Sequence, residues 1–209
     1  MSVETRRDLL VHAAFRVIAD HGVEAATTRR ISAEASMSLA SFHYAFESRD
    51  ELLAELVARG TSDELASLTA PLNPPRTAVD PEQPDWAAPT DIGELVRAGL
   101  MSYLDSMVAD PGREAAMITL AQYARRTEGL EHFAQRLYDR YYEIAQTSLE
   151  AAAEATGNTW DIAPRELAPL MVAATDGLTL AYLNTGNREI AERIIDATVT
   201  MLRGHVVPR

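Results

Sequence analysis

The chain is predicted to be all-helical, on three observations. Of its 209 residues 47% are hydrophobic, drawn mostly from Ala and Leu, which lose little conformational freedom on entering a helix. Alternating Val/Ile-rich runs, the mark of half-buried strands, are few. Apolar positions instead recur at three- and four-residue spacing behind hydroxyl and carboxylate caps. There is no cysteine, so neither a disulfide framework nor thiolate chemistry is available. No apolar run approaches the roughly 18–20 residues of a membrane span, and MSVETRRDLL is charged from its start, unlike a signal peptide. The expectation is a cytoplasmic protein with no membrane partner.

The first helix is expected from about Glu4 to His21, with Leu9, Ala13, Phe15, Val17 and Ile18 inward and Gly22 as its stop. Thr27 and Thr28 offer caps for a short helix over 29–35, and Ser38 caps a second from Leu39 to about Tyr44. Ser48 opens a third, with Glu51 completing a capping box. Ile31, Ala35, Met37, Phe42 and Phe46 are the apolar contacts that lock the short pair. A longer helix then runs from Arg49 to about Leu68 through Leu52, Leu53, Leu56, Val57 and Leu65. Residues 70–90 hold five prolines before Pro89 and read as a loop or linker.

Asp91 and Glu94 cap the next helix, which ends at Asp110-Pro111-Gly112. Arg113–Arg126 follows, with Met117, Leu120, Ala121 and Ala124 inward. Leu130–Ala155 is built on Phe133, Leu137, Tyr141, Ile144 and Leu149, and is broken by Gly157-Asn158. Pro164 occupies a favoured first-turn position of a helix to Thr185 that is apolar on nearly all sides. Such a helix must be covered all round, either within one protomer or by a second copy. The last helix spans Arg188 to about His205.

Residues 22–52 make a helix-turn-helix. Its outer surface carries Thr28, Arg29, Ser38, Leu39, Ser41, His43, Tyr44 and Arg49. Short hydroxyls, aromatics and guanidiniums of this kind suit phosphates and base edges. The net charge of −12 is unusual for a DNA binder. Between residues 27 and 49, however, Arg29, Arg30 and Arg49 outnumber Glu34 and Glu47, and it is the local potential that meets the duplex. Arg6 and Arg7 add to it, while the acidic excess falls mainly in the C-terminal two thirds. All 19 basic residues are Arg.

The pattern Leu9 to Ile18, Gly22, Thr27, Ile31-Ser32, Ala35-Ser36-Met37-Ser38, Phe42-His43, Phe46, Arg49 and Leu52 resembles the N-terminal motif of the tetracycline-repressor (TetR) family of bacterial transcription regulators. Ser36 stands where that family has a turn glycine and His43 where it has a tyrosine; Leu39 replaces an often polar reader. The resemblance implies a helix-turn-helix domain at 1–48, a connecting helix at 49–69, the loop at 70–90, and a helical ligand-binding and dimerisation domain at 91–209. Thr28, Ser38 and His43 are expected at phosphates, with Thr27 beside them and Arg49 closing the grip. Arg29, Ser41 and Tyr44 are expected at base edges or a thymine methyl, and Leu39 as an apolar contact.

The family's last two helices make a four-helix dimer bundle, which would place Leu178, Tyr182, Ile190, Ile194 and Met201 at a homodimer interface. Two recognition helices on a two-fold axis would read a palindromic operator in double-stranded DNA, with half-sites ~34–36 Å apart. The family's second domain holds a small, largely apolar effector. Met101, Tyr103, Met117, Leu120, Tyr141 and Met171 would line such a pocket, with Gln122, Tyr123, Thr175 and Asp176 as orienting polar groups. Ordinary core packing is the alternative for each of them.

No glycine-rich phosphate loop, nucleophile motif or metal-ligand spacing is present, and the five histidines are scattered. No cofactor is expected, and the reading is a regulator rather than an enzyme. An all-helical ligand carrier or enzyme, or a DNA-organising protein without effector, are the rival readings.

Overall fold

A computed structural model describes residues 1–70, 91–128 and 130–208. Residues 71–90, the expected Pro-rich loop, lie outside the described residues. The helices are α1 (Val3–His21), α2 (Thr28–Glu34), α3 (Leu39–Ala45), α4 (Arg49–Thr69), α5 (Ile92–Ala109), α6 (Pro111–Arg126), α7 (Glu131–Thr156), α8 (Pro164–Thr185) and α9 (Arg188–Arg203). The all-α expectation holds. Two strands of three residues, β1 (Asn158–Trp160) and β2 (Val206–Pro208), were not expected; they pair antiparallel, Thr159 opposite Val207.

The chain forms two compact units: residues 1–63 with 110–139, and residues 64–109 with 140–209. The expected domain plan kept 110–139 with the C-terminal helices. The units are drawn otherwise, because α6 packs on α1 within the first unit, and the divisions fall inside α4 and α7.

In the first unit α1 is capped by Ser2, whose hydroxyl accepts from the Thr5 amide at 3.1 Å. It buries Leu10, Val11, Ala13, Ala14, Val17 and Ile18, more than one stripe, because α2 and α3 cover one side and α6 another. Leu9, expected inward, is 43% exposed. In the run Leu9-Leu10-Val11 only two of three apolar residues can face the core, and the helical phase chooses the latter two. Gly22 ends α1 at φ 79°, its amide donating to the Ile18 carbonyl. Phe42 and Phe46 pack ring to ring at 5.8 Å under the α2–α3 pair. Truncating either to Ala would cost about 3–5 kcal/mol. Gly60 lets α4 approach α6, since a Cβ there would lie 2.7 Å from the Met117 sulfur.

In the second unit α5 buries Ile92, Leu95, Val96, Leu100, Tyr103, Leu104 and Met107. Gly99 on α5 meets the end of α4, where any side chain would strike the Leu68 carbonyl. The Tyr103 hydroxyl lies 2.7 Å from the Thr179 hydroxyl, joining α5 to α8. The Trp160 indole N–H donates to the Leu149 carbonyl at 3.0 Å, seating β1 on α7. Arg97–Asp196, Arg188–Asp105 and Arg203–Asp91 fasten α9 to α5 and the residue before it. Each is an exposed pair and contributes little by itself.

Candidate nucleic-acid interface

The turn between α2 and α3 is fixed by hydrogen bonds that the local sequence dictates. The Thr27 hydroxyl accepts from the Arg30 amide and the Ser38 hydroxyl from the Ser41 amide, each at 3.2 Å. Between them the Met37 amide donates to the Ser32 carbonyl at 2.7 Å. That geometry needs a left-handed residue, and Ser36 supplies it at φ 55°, the one positive φ of a non-glycine among the described residues. A serine in the place of the family's turn glycine therefore carries some backbone strain.

Around this turn Thr27, Arg29, Arg30, Ser38, His43 and Tyr44 are exposed, and Thr28, Leu39 and Ser41 half-exposed. These expected DNA contacts thus lie on α2, α3 and their caps with their side chains reaching solvent. Ala40, not singled out from sequence, is exposed among them. Tyr44 is 68% exposed.

Arg49 departs from expectation. Its Nε donates to the Ala26 carbonyl at 2.9 Å and its Nη2 to the Val23 carbonyl. Its guanidinium also lies 5.7 Å from the Tyr123 ring centre. Rather than standing free for a phosphate, it holds the 3-10 turn (Val23–Ala25) that leads into α2.

Arg7 is likewise internal. Its Nη1 donates to the Ala45 carbonyl at 2.7 Å and pairs with Glu51, its Nη2 pairs with Glu55, and the group covers the Phe46 ring at 4.1 Å. Burial alone would lower its pKa, but the two carboxylates overcome this and the net shift is upward. The Glu47 amide, then Arg7, hold Glu51 below the usual carboxylate range. Glu55 is held below it first by Arg59 and then by Arg7. Glu51 caps α4 in the expected manner at one end only. Its amide donates to the Ser48 hydroxyl, but its carboxylate reaches back to the Glu47 amide rather than that of Ser48.

The expected effector residues divide between the units. In the first, Met117 packs on Gly60. Leu120 and Tyr123 border an apolar void of about 10 Å³ with Leu53, Val57 and Phe133. Gln122 is exposed on α6, because it falls on the solvent side of the helix phase set by Leu120 and Ala124. In the second unit, Met171 borders another void of about 10 Å³ with Leu95, Val96, Gly99 and Leu149. Tyr103 is buried against Thr179, while Met101, Tyr141 and Asp176 are half-buried. The Thr175 hydroxyl is spent on the Val172 carbonyl of its own helix at 2.9 Å. Sequence reasoning missed an open groove of about 430 Å³ floored by Trp160, Ala153 and Pro164, with Glu150, Glu154 and Asp161 at its edges.

On α8 and α9, Leu178 is fully buried within the protomer's own core and is not a surface residue. Being apolar all round, α8 hides its phase, and Leu180 rather than Leu178 faces out at 47% exposure. Leu170, Ile190 and Met201 are also exposed, and Tyr182 and Ile194 half-exposed. No helix among the described residues is long and apolar enough to cross a membrane.

Residues 10–56 match the family of bacterial regulatory proteins, tetR family. Residues 93–205 match the BetI-type transcriptional repressor C-terminal family. The chain is 27% identical to HdnoR, an HTH-type nicotine-responsive transcriptional repressor of Paenarthrobacter nicotinovorans, across 94% of this chain and 95% of that protein. It is 28% identical to BetI, an HTH-type transcriptional regulator of Rhizobium meliloti (strain 1021), across 86% and 88%. Among solved structures, the fatty acid degradation regulator FadR from Bacillus halodurans superposes with a TM-score of 0.71 at 15% identity, across 94% of this chain and 97% of that one.

Proposed function

The chain belongs to the TetR family of bacterial regulatory proteins, transcriptional regulators rather than enzymes, and from that premise we propose that it is a cytoplasmic, homodimeric repressor released from a palindromic operator by a small, largely apolar effector. The observation that carries this reading is the open surface of α2 and α3. It presents Thr28, Arg29, Ser38, Ser41, His43 and Tyr44 to solvent from a capped, internally braced helix pair. Thr28, Ser38 and His43 take phosphates; Arg29, Ser41 and Tyr44 take base edges. Arg49 acts at one remove, by holding the turn before α2.

Two further observations support the finer parts. Leu170 and Leu180 on α8, with Ile190 and Met201 on α9, are aliphatic side chains left to water in one protomer. A second copy covering them removes that cost. The nicotine-responsive relative supports a small organic effector. Both 10 Å³ voids are far smaller than the roughly 300 Å³ of a small-molecule site. Entry at either therefore requires side chains to shift, which Met171, at the void of the second unit, is suited to do. The effector favours the DNA-free state by its difference in affinity for the two.

The test is fluorescence anisotropy with duplexes spanning the DNA beside the chain's own gene, followed by a screen of small apolar compounds for release. Selective binding reversed by a compound supports the proposal. Equal binding to every sequence favours an organiser of DNA, and no binding to any duplex favours a carrier.

A further inference from the structure

We infer that Arg6, on α1 and outside the helix-turn-helix, is a positioning residue that sets the Tyr44 ring for sequence reading. This rests on the DNA-binding reading above. The Arg6 guanidinium carbon lies 4.7 Å from the centre of the Tyr44 ring. Its Nε and Nη1 are buried and have no hydrogen-bond partner among the described residues. Two unmet buried donors are a cost, and an arginine serving stability alone would shed it by turning to water or to a carboxylate.

Its neighbour shows the contrast. Arg7 spends its guanidinium on the Ala45 carbonyl, Glu51 and Glu55. Arg6 forgoes such partners and is placed against an aromatic ring that is itself 68% exposed.

A cation against a ring face is attractive. An exposed tyrosine on a short helix otherwise samples several rotamers, and ordering it at the moment of binding costs affinity. The stack removes that cost in advance. It also brings a residue of α1 to bear on specificity, so that sequence discrimination is shared between α1 and α3.

The experiment uses the full chain, the duplex it enriches from a random pool, and a shuffled duplex of the same length, in anisotropy titrations over a salt series. Arg6→Met keeps the stem and removes the cation. It is expected to lower the ratio of specific to shuffled affinity roughly 2- to 5-fold per protomer, with the salt slope on the shuffled duplex unchanged. Arg6→Lys should restore most of the ratio. In a Tyr44→Ala background, Arg6→Met should have no further effect.

Loss of affinity for both duplexes alike, with a slope smaller by about one per protomer, would make Arg6 a phosphate contact and overturn the inference. So would an unchanged ratio, or additive effects of the two substitutions. A thermal melt of each variant separates these outcomes from unfolding. If the unaltered chain enriches no duplex at all, the DNA-binding reading fails first, and the inference with it.

Discussion

Two surfaces of this protein are left open by its own folding, and their chemistry is opposite. That of α2 and α3 is short, capped and polar, with one largely exposed tyrosine ring; that of α8 and α9 is aliphatic, with Leu170, Leu180, Ile190 and Met201 exposed. Hydroxyls, guanidiniums and an aromatic ring suit a hydrated, charged partner whose edges can be hydrogen-bonded. Aliphatic side chains offer no direction and only the gain of leaving water. The first surface suits a nucleic acid; in the function proposed above, a second copy of the chain covers the second. The first is also the more strongly braced, by Arg7, Arg49 and three hydroxyl caps. A reader must hold its side chains in register, whereas an apolar face needs only shape.

The sharpest way to break this contrast is Leu180→Asp. In a lone protomer the new carboxylate would remain near water. In a dimer it would be buried unpaired, at a cost of several kcal/mol if it stays charged. Sedimentation should show a folded monomer, and operator affinity should fall on the order of 10²-fold or more as the second recognition helix is lost. A folded dimer would move the interface elsewhere.

Arg49→Ala comes next and tests what braces the polar surface. With the side chain gone, the Ala26 and Val23 carbonyls lose a charged donor, a loss of about 1.5–3 kcal/mol. The melting temperature should fall by several degrees, with the salt dependence of DNA binding unchanged. A flatter salt slope with unchanged melting would return Arg49 to a phosphate.

Acid should then loosen the polar surface's support selectively. The folded pKa values of Glu51 and Glu55 are depressed. The stability they contribute is present above the ordinary glutamate value and is lost as pH falls through the depressed ones. Unfolding followed by circular dichroism from pH 6 to about pH 3 should show a steep loss that Glu51→Gln makes shallower. Equal slopes would mean that these carboxylates are not linked to folding.

The smallest effect is Ser36→Gly, which relieves a left-handed serine at φ 55°. It should stabilise by about 0.5–1 kcal/mol, the relief of strain less the added entropy of glycine. Denaturant unfolding at constant slope would measure it.

How much was legible follows from what kind of partner each residue has. The caps at Thr27, Ser38 and Ser48 bond to amides three residues away, so local sequence was enough to place α2, α3 and α4. The bracing role of Arg49 was not legible because its partners are backbone carbonyls 23 and 26 residues distant, which side-chain patterns do not reveal. Leu9 and Leu178 were misassigned for a shared reason: where apolar residues run together, the phase of the helix leaves no trace in the sequence. β1 and β2 are three residues each and join segments far apart in the chain, too short for alternation to register. The polar surface was therefore readable residue by residue. On the apolar surface, sequence gave the helices but not which side of α8 faces outward.

Native mass spectrometry of the full chain with the duplex it enriches from a random pool tests the central claim most directly, that one open surface meets DNA and the other a second copy. Two chains per duplex are expected, with protection of two inverted half-sites ~34–36 Å apart and none on a shuffled duplex. One chain per duplex, or protection indifferent to sequence, would contradict it.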